Sequence, residues 1–206
     1  AAIPDDTAML RAAVDLTRDL NDARPAIYWP DFLVSAIVGY AGLAGAILSH
    51  DILFALGAAV VAVLALYRAS SFIHELTHIR SGALPGFRLG WNLLVGIPLL
   101  IPSFLYEGVH TLHHARTRYG TEEDPEYLPL ALMKPWSLPV FLVVATLAPL
   151  GLLIRFAVLS PLSALIPPLR KVVVERYSAL SINPAFRRRP PERAFRQMWL
   201  WQEMGA

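Results

Sequence analysis

The amino-acid sequence predicts an all-α integral membrane protein, with a transmembrane hairpin, re-entrant or interfacial helices and a histidine-rich cap facing the cytoplasm. Hydrophobic residues make up 55% of the 206 residues and charged residues only 17%, whereas soluble domains average about 45–50% apolar and about 25% charged residues. The hydrophobic excess lies in blocks long enough to cross a bilayer. Five of the six histidines fall in two clusters, His74 to His78 and His110 to His114.

The composition also excludes several classes of site. The chain has no cysteine, which excludes disulfides, thiolate metal sites, iron–sulfur clusters and thiol nucleophiles. The net charge is only +2, and we expect no nucleic-acid partner. No basic segment precedes an apolar one near the start, so we predict no signal peptide. We treat residues 1–206 as a single membrane domain.

The N-terminal segment, residues 1–30, is predicted to lie at the membrane interface. Residues 5–23 read as an amphipathic helix that Asp5 or Asp6 can cap. Its apolar positions share one face, which suits either an ordinary surface helix or a helix lying on the bilayer. Those positions are Leu10, Ala13, Val14, Thr17 and Leu20. Tyr28 and Trp29 follow, and such aromatic residues favour the interface.

Two apolar segments then predict a transmembrane hairpin, Phe32 to Leu48 and Ile52 to Tyr67. The linker between them, residues 49–51, is long enough only for a tight turn. It has no lysine or arginine, whereas Arg68 and later arginines follow the second span, so the positive-inside rule places the turn outside and both ends inside. His50 is therefore predicted to be a solvated loop residue, on the far side from the other histidines.

The rest of the chain is apolar but interrupted. Residues 89–106 contain Gly96 and two prolines, and they separate the two histidine clusters, so we expect this segment to dip into the membrane and return, or to lie along its surface. Residues 115–135 are polar and predicted to form a cytoplasmic loop. Ser137 to Pro168 has basic residues on both sides, which predicts a re-entrant segment that returns near Arg155. The last forty residues are expected to lie on the inner surface near anionic lipid.

The two histidine clusters predict a metal site. In a helix, His74 and His78 project from one face, and His110 shares a face with His113 and with His114. Five imidazoles at a membrane edge do not fit simple packing. Imidazole suits zinc, copper, iron and nickel, so the ligand type alone does not choose the metal.

One interpretation starts from the first cluster alone. His74-Glu75-Leu76-Thr77-His78 matches the H-E-x-x-H pattern, in which two histidines bind zinc and Glu75 is the general base of a metallopeptidase. Such a zinc site needs one further protein ligand and a water. This interpretation leaves most of the second cluster unexplained, but a membrane-embedded zinc metallopeptidase remains an alternative.

The two clusters together are more specific. H-x-x-x-H after a two-span hairpin, followed by H-x-x-H-H, resembles the integral-membrane fatty acid desaturases and their hydroxylase relatives. The resemblance implies a helical membrane domain whose cytoplasmic cap binds two irons. It implies that the iron ligands are the five clustered histidines: His74, His78, His110, His113 and His114. Glu75 and Glu107 are candidates to orient the ligand imidazoles.

The resemblance also implies partners. The reaction uses dioxygen on a lipid or fatty acyl chain held in an apolar groove, with electrons from an external ferredoxin- or cytochrome-type donor. The loop Asp124-Pro125-Glu126-Tyr127 is similar to bacterial members, which suggests a bacterial inner membrane. The sequence is thus expected to serve O2-dependent di-iron desaturation of a fatty acyl chain. Desaturation and hydroxylation begin with the same hydrogen abstraction, so the sequence suits both.

The sequence departs from the family pattern in one respect. The family has a third histidine box after a further span or two, but no histidine follows His114. We therefore expect the chain to correspond to the N-terminal two thirds of a desaturase and to be inactive alone, because the second iron would lack part of its ligand set. An inactive desaturase-like fragment and a self-contained protein with one metal on five histidines are the alternatives.

Overall fold

The computed structural model describes residues 6–17, 22–80, 82–128 and 130–206. Within these residues every regular element is helical, which confirms the predicted all-α class. The α-helices are α1 (Thr7–Thr17), α2 (Pro25–Leu48), α3 (Ile52–His78), α4 (Phe87–Trp91), α5 (His110–His113), α6 (Ser137–Ile154), α7 (Ser160–Leu165), α8 (Pro167–Tyr177) and α9 (Arg196–Gly205). Short 3-10 and π turns connect several of them.

The predicted N-terminal helix is confirmed where the structure describes it, over Thr7–Thr17. The rest of the prediction for residues 5–23, including Asp5 and Leu20, falls partly on residues outside the described ones. Leu10 and Val14 on its apolar face are 62% and 60% exposed. That this face lies on the bilayer remains a prediction.

Helices α2 and α3 form the predicted hairpin. The carboxylate of Asp51 caps α3 by accepting a hydrogen bond from Phe54 N at 2.8 Å. A Cβ added to Gly42 would lie only 3.0 Å from the backbone of Ala58, so the missing side chain lets the two helices approach closely. Helix α2 begins at Pro25, earlier than the predicted Phe32, because proline suits the first turn of a helix.

Among the described residues, three helices are long and apolar enough to cross a membrane: Pro25–Leu48, Ile52–His78 and Ser137–Leu165. Most of their large apolar side chains are exposed, and no residue of α6 is buried. Apolar surface on this scale is rare on soluble monomers and suits contact with lipid. All backbone hydrogen bonds of such helices are made within the helix, as a bilayer core requires.

The segment between the histidine clusters turns back on itself, as predicted. Helix α4 continues into a π turn at Asn92–Gly96, and a 3-10 turn at Ser103–Leu105 precedes the second cluster. Tyr40 in the middle of α2 donates a hydrogen bond to Leu94 O at 2.7 Å. The segment therefore reaches the middle of the hairpin and returns without a helix long enough to cross.

An aromatic core fixes the end of the hairpin where α3 finishes. Phe32, Phe72 and Phe87 contact one another edge to face, with ring centroids 5.4 to 5.9 Å apart. The indole of buried Trp91 donates to Ala69 O at 2.8 Å. The last two turns of α3 are therefore held rigidly by buried side chains on one face.

The apolar segment after Ser137 corrects one prediction. The helix does not reverse at Arg155, because a π turn at Arg155–Leu159 keeps it continuous to Leu165. The reversal comes at Ile166, whose extended conformation suits a residue that precedes proline. Helix α8 then packs back, so that Arg155 Nε donates to Tyr177 O at 2.8 Å.

Candidate metal centre

The first histidine pair lies on the exposed face at the end of α3. Phe72 and Leu76 on the other face are 2% and 3% exposed and belong to the aromatic core. His74 and His78, one turn apart, therefore point away from that core, with ring centroids 4.6 Å apart. The predicted helical face is confirmed.

The second cluster occupies one short helix, α5, and the residue that follows it. Gly108 has a φ of +74°, a left-handed conformation that glycine adopts without strain, and this turn leads the chain into α5. Val109 is buried, and His110 is only 3% exposed. The imidazole of His110 is therefore enclosed, whereas those of His113 and His114 lie nearer the surface.

Four of the five predicted ligands converge. One nitrogen from each of His74, His78, His110 and His114 lies within 4.8 Å of the others. Nε2 of His110 lies 3.1 Å from Nε2 of His78 and 2.8 Å from Nε2 of His114. The ring of His74 lies 4.5 Å from that of His110, centroid to centroid.

The hydrogen-bond partners of His110 determine which nitrogen faces the cluster. Nδ1 lies 2.8 Å from Glu126 Oε1 and 2.8 Å from the Tyr106 hydroxyl. A carboxylate only accepts hydrogen bonds, so Nδ1 bears the hydrogen and Nε2 presents its lone pair to the other histidines. Burial lowers the pKa of His110, and Glu126 only partly opposes this shift. The lowered pKa favours the neutral imidazole that a metal needs.

This donor set fits a metal ion. Neighbouring nitrogens 2.8 and 3.1 Å apart match ligands of one ion held at about 2.0–2.1 Å from each nitrogen. A lone pair facing two other ring nitrogens at such distances is satisfied by a cation between them. The residues present therefore suit a metal with imidazole ligands.

His113 lies outside the group of four. Its Nδ1 is 2.9 Å from Asp124 Oδ1 and 3.0 Å from Oδ2, which leaves Nε2 as the nitrogen able to bind a metal. Asp124 is fully buried and also accepts hydrogen bonds from Gly120 N and Glu126 N, each at 2.9 Å. Burial raises the pKa of Asp124, but these hydrogen bonds and the nearby imidazole lower it by a larger amount. The pKa of Asp124 therefore lies below its usual value.

The two predicted orienting glutamates are placed differently. Glu75 Oε1 lies 3.5 Å from Nδ1 of His74, and Oε2 accepts a hydrogen bond from Tyr28 at 2.9 Å. Glu107 faces Arg88 instead, and Oε1 of Glu107 lies 2.8 Å from Nε of Arg88. Burial raises the pKa of Glu107, and Arg88 opposes the shift. Its charged partner is thus an arginine and not a histidine.

Sequence reasoning did not assign Tyr106, Asp124 or Glu126 to the site. The two acids lie in the loop Asp124-Pro125-Glu126-Tyr127, which supported the resemblance but received no role. The loop is held by Pro125 O, which accepts from Ser181 Oγ at 2.6 Å. His50 is exposed in the hairpin turn, at the opposite end of α3 from His78, and the helix between them is about 39 Å long. It lies far from the cluster, as predicted.

Comparisons with known proteins identify the family of this chain. Residues 50–206 match the family described as "Fatty acid desaturase". A ceramide hydroxylase from Caulobacter vibrioides (strain NA1000 / CB15N) is 50% identical over 199 residues, which cover 97% of this chain and 56% of that protein. The chain thus spans about half the length of this relative. No solved structure matches.

Proposed function

This chain belongs to the fatty acid desaturase family, and from that premise we propose that it provides the metal-binding part of an O2-dependent lipid hydroxylase. The proposed substrate is a ceramide or a closely related long-chain lipid. The observation that supports this choice most is the 50% identity to a ceramide hydroxylase across 97% of the chain. The convergence of four histidines beside apolar helices agrees with it.

We propose that the metal ligands are the five clustered histidines: His74, His78, His110, His113 and His114. Two irons bound there with dioxygen would supply the oxidant for an unactivated C–H bond, which no side chain can provide. Zinc is the alternative metal. Electrons would come from a separate ferredoxin- or cytochrome-type protein, and the histidines would face the cytoplasm.

The surrounding residues would keep the ligands in position. Glu126 holds the hydrogen of His110 on Nδ1, and Asp124 does the same for His113. Carboxylates that hold ligand imidazoles in this way fix the ring orientation and raise the basicity of the ligand nitrogen. Glu75 is placed to act similarly on His74.

The position of the cluster suits a lipid substrate. His74 and His78 occupy the last two turns of a helix whose earlier turns are apolar and largely exposed, among them Leu56, Val60 and Leu64. A chain lying beside α3 in the bilayer would therefore pass close to the histidines. Exclusion of water by such surroundings strengthens the electrostatic interactions inside a site.

The two other candidate functions have less support. A desaturase would use the same ligands, and only its product differs. A zinc metallopeptidase would use Glu75 as general base, yet this carboxylate already accepts a hydrogen bond from Tyr28. It would also need only one ligand beyond His74 and His78, whereas both His110 and His114 join them.

The product distinguishes these functions. The gene that encodes this chain would be expressed to its native stop codon in a bacterium supplied with ceramide, because the chain alone is expected to be inactive. A His110→Ala variant is the control, and the lipids are analysed by mass spectrometry. We expect ceramide with one added oxygen, absent in the variant. Loss of two hydrogens would instead identify a desaturase. Unchanged lipids from a chain that binds iron would contradict the proposed activity and favour an inactive desaturase-like fragment.

A further inference from the structure

A cavity of about 350 Å³ lies beside the second histidine cluster, between that segment and the last part of the chain. Its apolar wall includes Phe104, Leu112 and Trp199. Phe104 and Trp199 stack, with ring centroids 4.8 Å apart and an interplanar angle of 26°. The volume and the aromatic lining are typical of a small-molecule site rather than of a flat protein interface.

The cavity is strongly basic. Four arginines line it, against two glutamates. Glu107 lies 2.8 Å from Arg88, which does not line the cavity, so the charge of Glu107 is already balanced. The lining arginines are Arg118, Arg187, Arg188 and Arg189.

Two of these arginines have no carboxylate partner within the described part of the chain. Arg187 donates to Pro184 O and Phe186 O at 2.8 and 2.7 Å, and these are neutral acceptors. Arg189 is exposed, and among the described residues neither Arg187 nor Arg189 lies within 4.0 Å of a carboxylate. An excess of unpaired guanidinium groups at a concave site attracts phosphate or carboxylate, which guanidinium binds bidentately.

A buried donor in the same wall also lacks an acceptor. Trp199 is 3% exposed, and its Nε1 has no hydrogen-bond partner among the described residues. Buried polar groups are nearly always hydrogen-bonded. The indole N–H is therefore an unused donor in the wall of this cavity, and a small shift of the wall would make it available to an acceptor oxygen.

We propose that this cavity binds the phosphate headgroup of an anionic membrane phospholipid. The arginines would hold the phosphate, and the Phe104–Trp199 wall would contact the adjoining glycerol and acyl carbons. The cavity includes Val109 and Leu112, which flank His110, and His110 lies 3.1 Å from His78 at the end of the apolar helix α3. This would place the cavity at the membrane edge, where headgroups are found. A ceramide is uncharged, so this ligand is distinct from the proposed substrate and does not depend on the proposed function.

The test is lipid retention by the whole chain. The protein would be placed in nanodiscs that contain equal amounts of phosphatidylglycerol and phosphatidylcholine, released in the mass spectrometer, and the lipids that remain bound would be counted. We expect preferential retention of phosphatidylglycerol. The double variant Arg187→Gln/Arg189→Gln should lower that preference by about 25-fold, because each of the two arginines near a headgroup contributes on the order of a fivefold effect. Trp199→Phe, which removes the N–H and keeps an aromatic ring of smaller size in the wall, should lower it less.

The matched control is Arg176→Gln/Arg193→Gln, which removes the same charge from exposed arginines that do not line the cavity. We expect this variant to retain the preference, and the helical circular dichroism of all variants to be unchanged. Adding inorganic phosphate distinguishes a headgroup site from one for the free anion. Phosphate should displace the lipid only weakly, and full displacement at equal concentration would overturn the lipid proposal.

Three further results would also overturn it. Equal loss in the cavity variant and the control would indicate a general surface charge effect. Equal retention of both lipids by the unmodified chain would exclude a selective site. Unchanged lipid retention in the cavity variant, with loss of binding to an acidic electron-donor protein such as a ferredoxin, would assign the arginines to a protein partner. None of these readouts requires hydroxylase activity, so they test the cavity separately from the proposed reaction.

Discussion

Nδ1 of His113 lies 2.9 Å from Oδ1 of Asp124, a carboxylate with no exposed surface. Glu126, two residues further on, contacts Nδ1 of His110 at 2.8 Å, and its own N–H binds Asp124. One loop therefore positions two imidazoles of the second cluster, and a hydrogen bond links the two acidic residues of that loop. The orientation of the second cluster depends on this loop as much as on α5.

Replacing Asp124 by asparagine should weaken metal binding by about 10–100-fold, because partners of this kind orient the ligand and raise its basicity. Gly120 N and Glu126 N donate to different oxygens of Asp124, and asparagine keeps only one of them, so the thermal unfolding midpoint is measured beside metal binding to show that the loop remains folded. The measurement is iron content after dialysis against increasing concentrations of chelator. Glu123→Gln, at a 72% exposed neighbour, is the control, and equal iron retention in both variants would show that Asp124 does not support a metal ligand.

Replacing Glu126 by glutamine tests the assignment of hydrogens on His110. The glutamine amide can donate to Nδ1, which would move the imidazole hydrogen to Nε2 and block that nitrogen as a ligand. We expect a larger loss of metal than in Tyr106→Phe, because the phenol only shares Nδ1 with Glu126. Burial, followed by the nearby Glu126 charge, raises the pKa of Tyr106, so the phenol stays protonated and cannot replace the carboxylate.

The readout for these variants is the visible spectrum of cobalt-loaded protein, which reports the number and type of ligands as well as occupancy. Glu122→Gln, an exposed residue of the same loop, is the control. A Glu126→Gln spectrum identical to that of the unmodified protein would mean that Glu126 does not determine which nitrogen of His110 bears the hydrogen.

The helical part of the site was predictable because it depends on local geometry. His74 and His78 share a face by their spacing alone, and α3 had to continue past Tyr67 to bear them. The partners of the second cluster were not predictable, because Glu126 reaches His110 through an irregular loop without periodicity. The position of the later reversal was also missed, because a π turn can absorb the irregularity at Arg155 without ending the helix.

Replacing Gln202 by methionine should destabilise the turn before the second cluster. Gln202 Oε1 accepts from Phe104 N at 2.9 Å and from Ser103 Oγ at 3.3 Å, and all three residues are buried. Removing this acceptor leaves buried donors unpaired, which costs about 1–3 kcal/mol. The measurement is the thermal unfolding midpoint in detergent, with Gln197→Met on the exposed part of α9 as control. Equal midpoints for both variants would show that the contact between α9 and this turn contributes no stability.

Glu203 and Arg155 form an ion pair in which both side chains are almost fully buried, with 2.6 Å between Oε1 and Nη2. Arg170 also pairs with this carboxylate, and its Nη2 lies 2.7 Å from Oε2 of Glu203. Glu203→Gln leaves the buried guanidinium of Arg155 without its counterion, and breaking a buried pair in this way costs roughly 3–5 kcal/mol. We therefore expect a clearly lower unfolding midpoint at neutral pH, whereas Glu175→Gln, whose Oε1 lies 4.0 Å from exposed Lys171, should change little.

The pH dependence of stability tests the same pair. Burial raises the pKa of Glu203, but Arg170 and Arg155 lower it more, so the pKa lies below its usual value of 4.5. A carboxyl group whose pKa is depressed in the folded state stabilises the protein above the unfolded pKa, and this contribution is lost as the pH falls through the folded pKa. The unfolding midpoint of the unmodified chain should therefore fall steeply with acidification below about 4.5, and that of Glu203→Gln should fall less. Parallel curves for the two proteins would mean that other carboxylates determine the acid sensitivity and that the charge of Glu203 does not stabilise the attachment of α9.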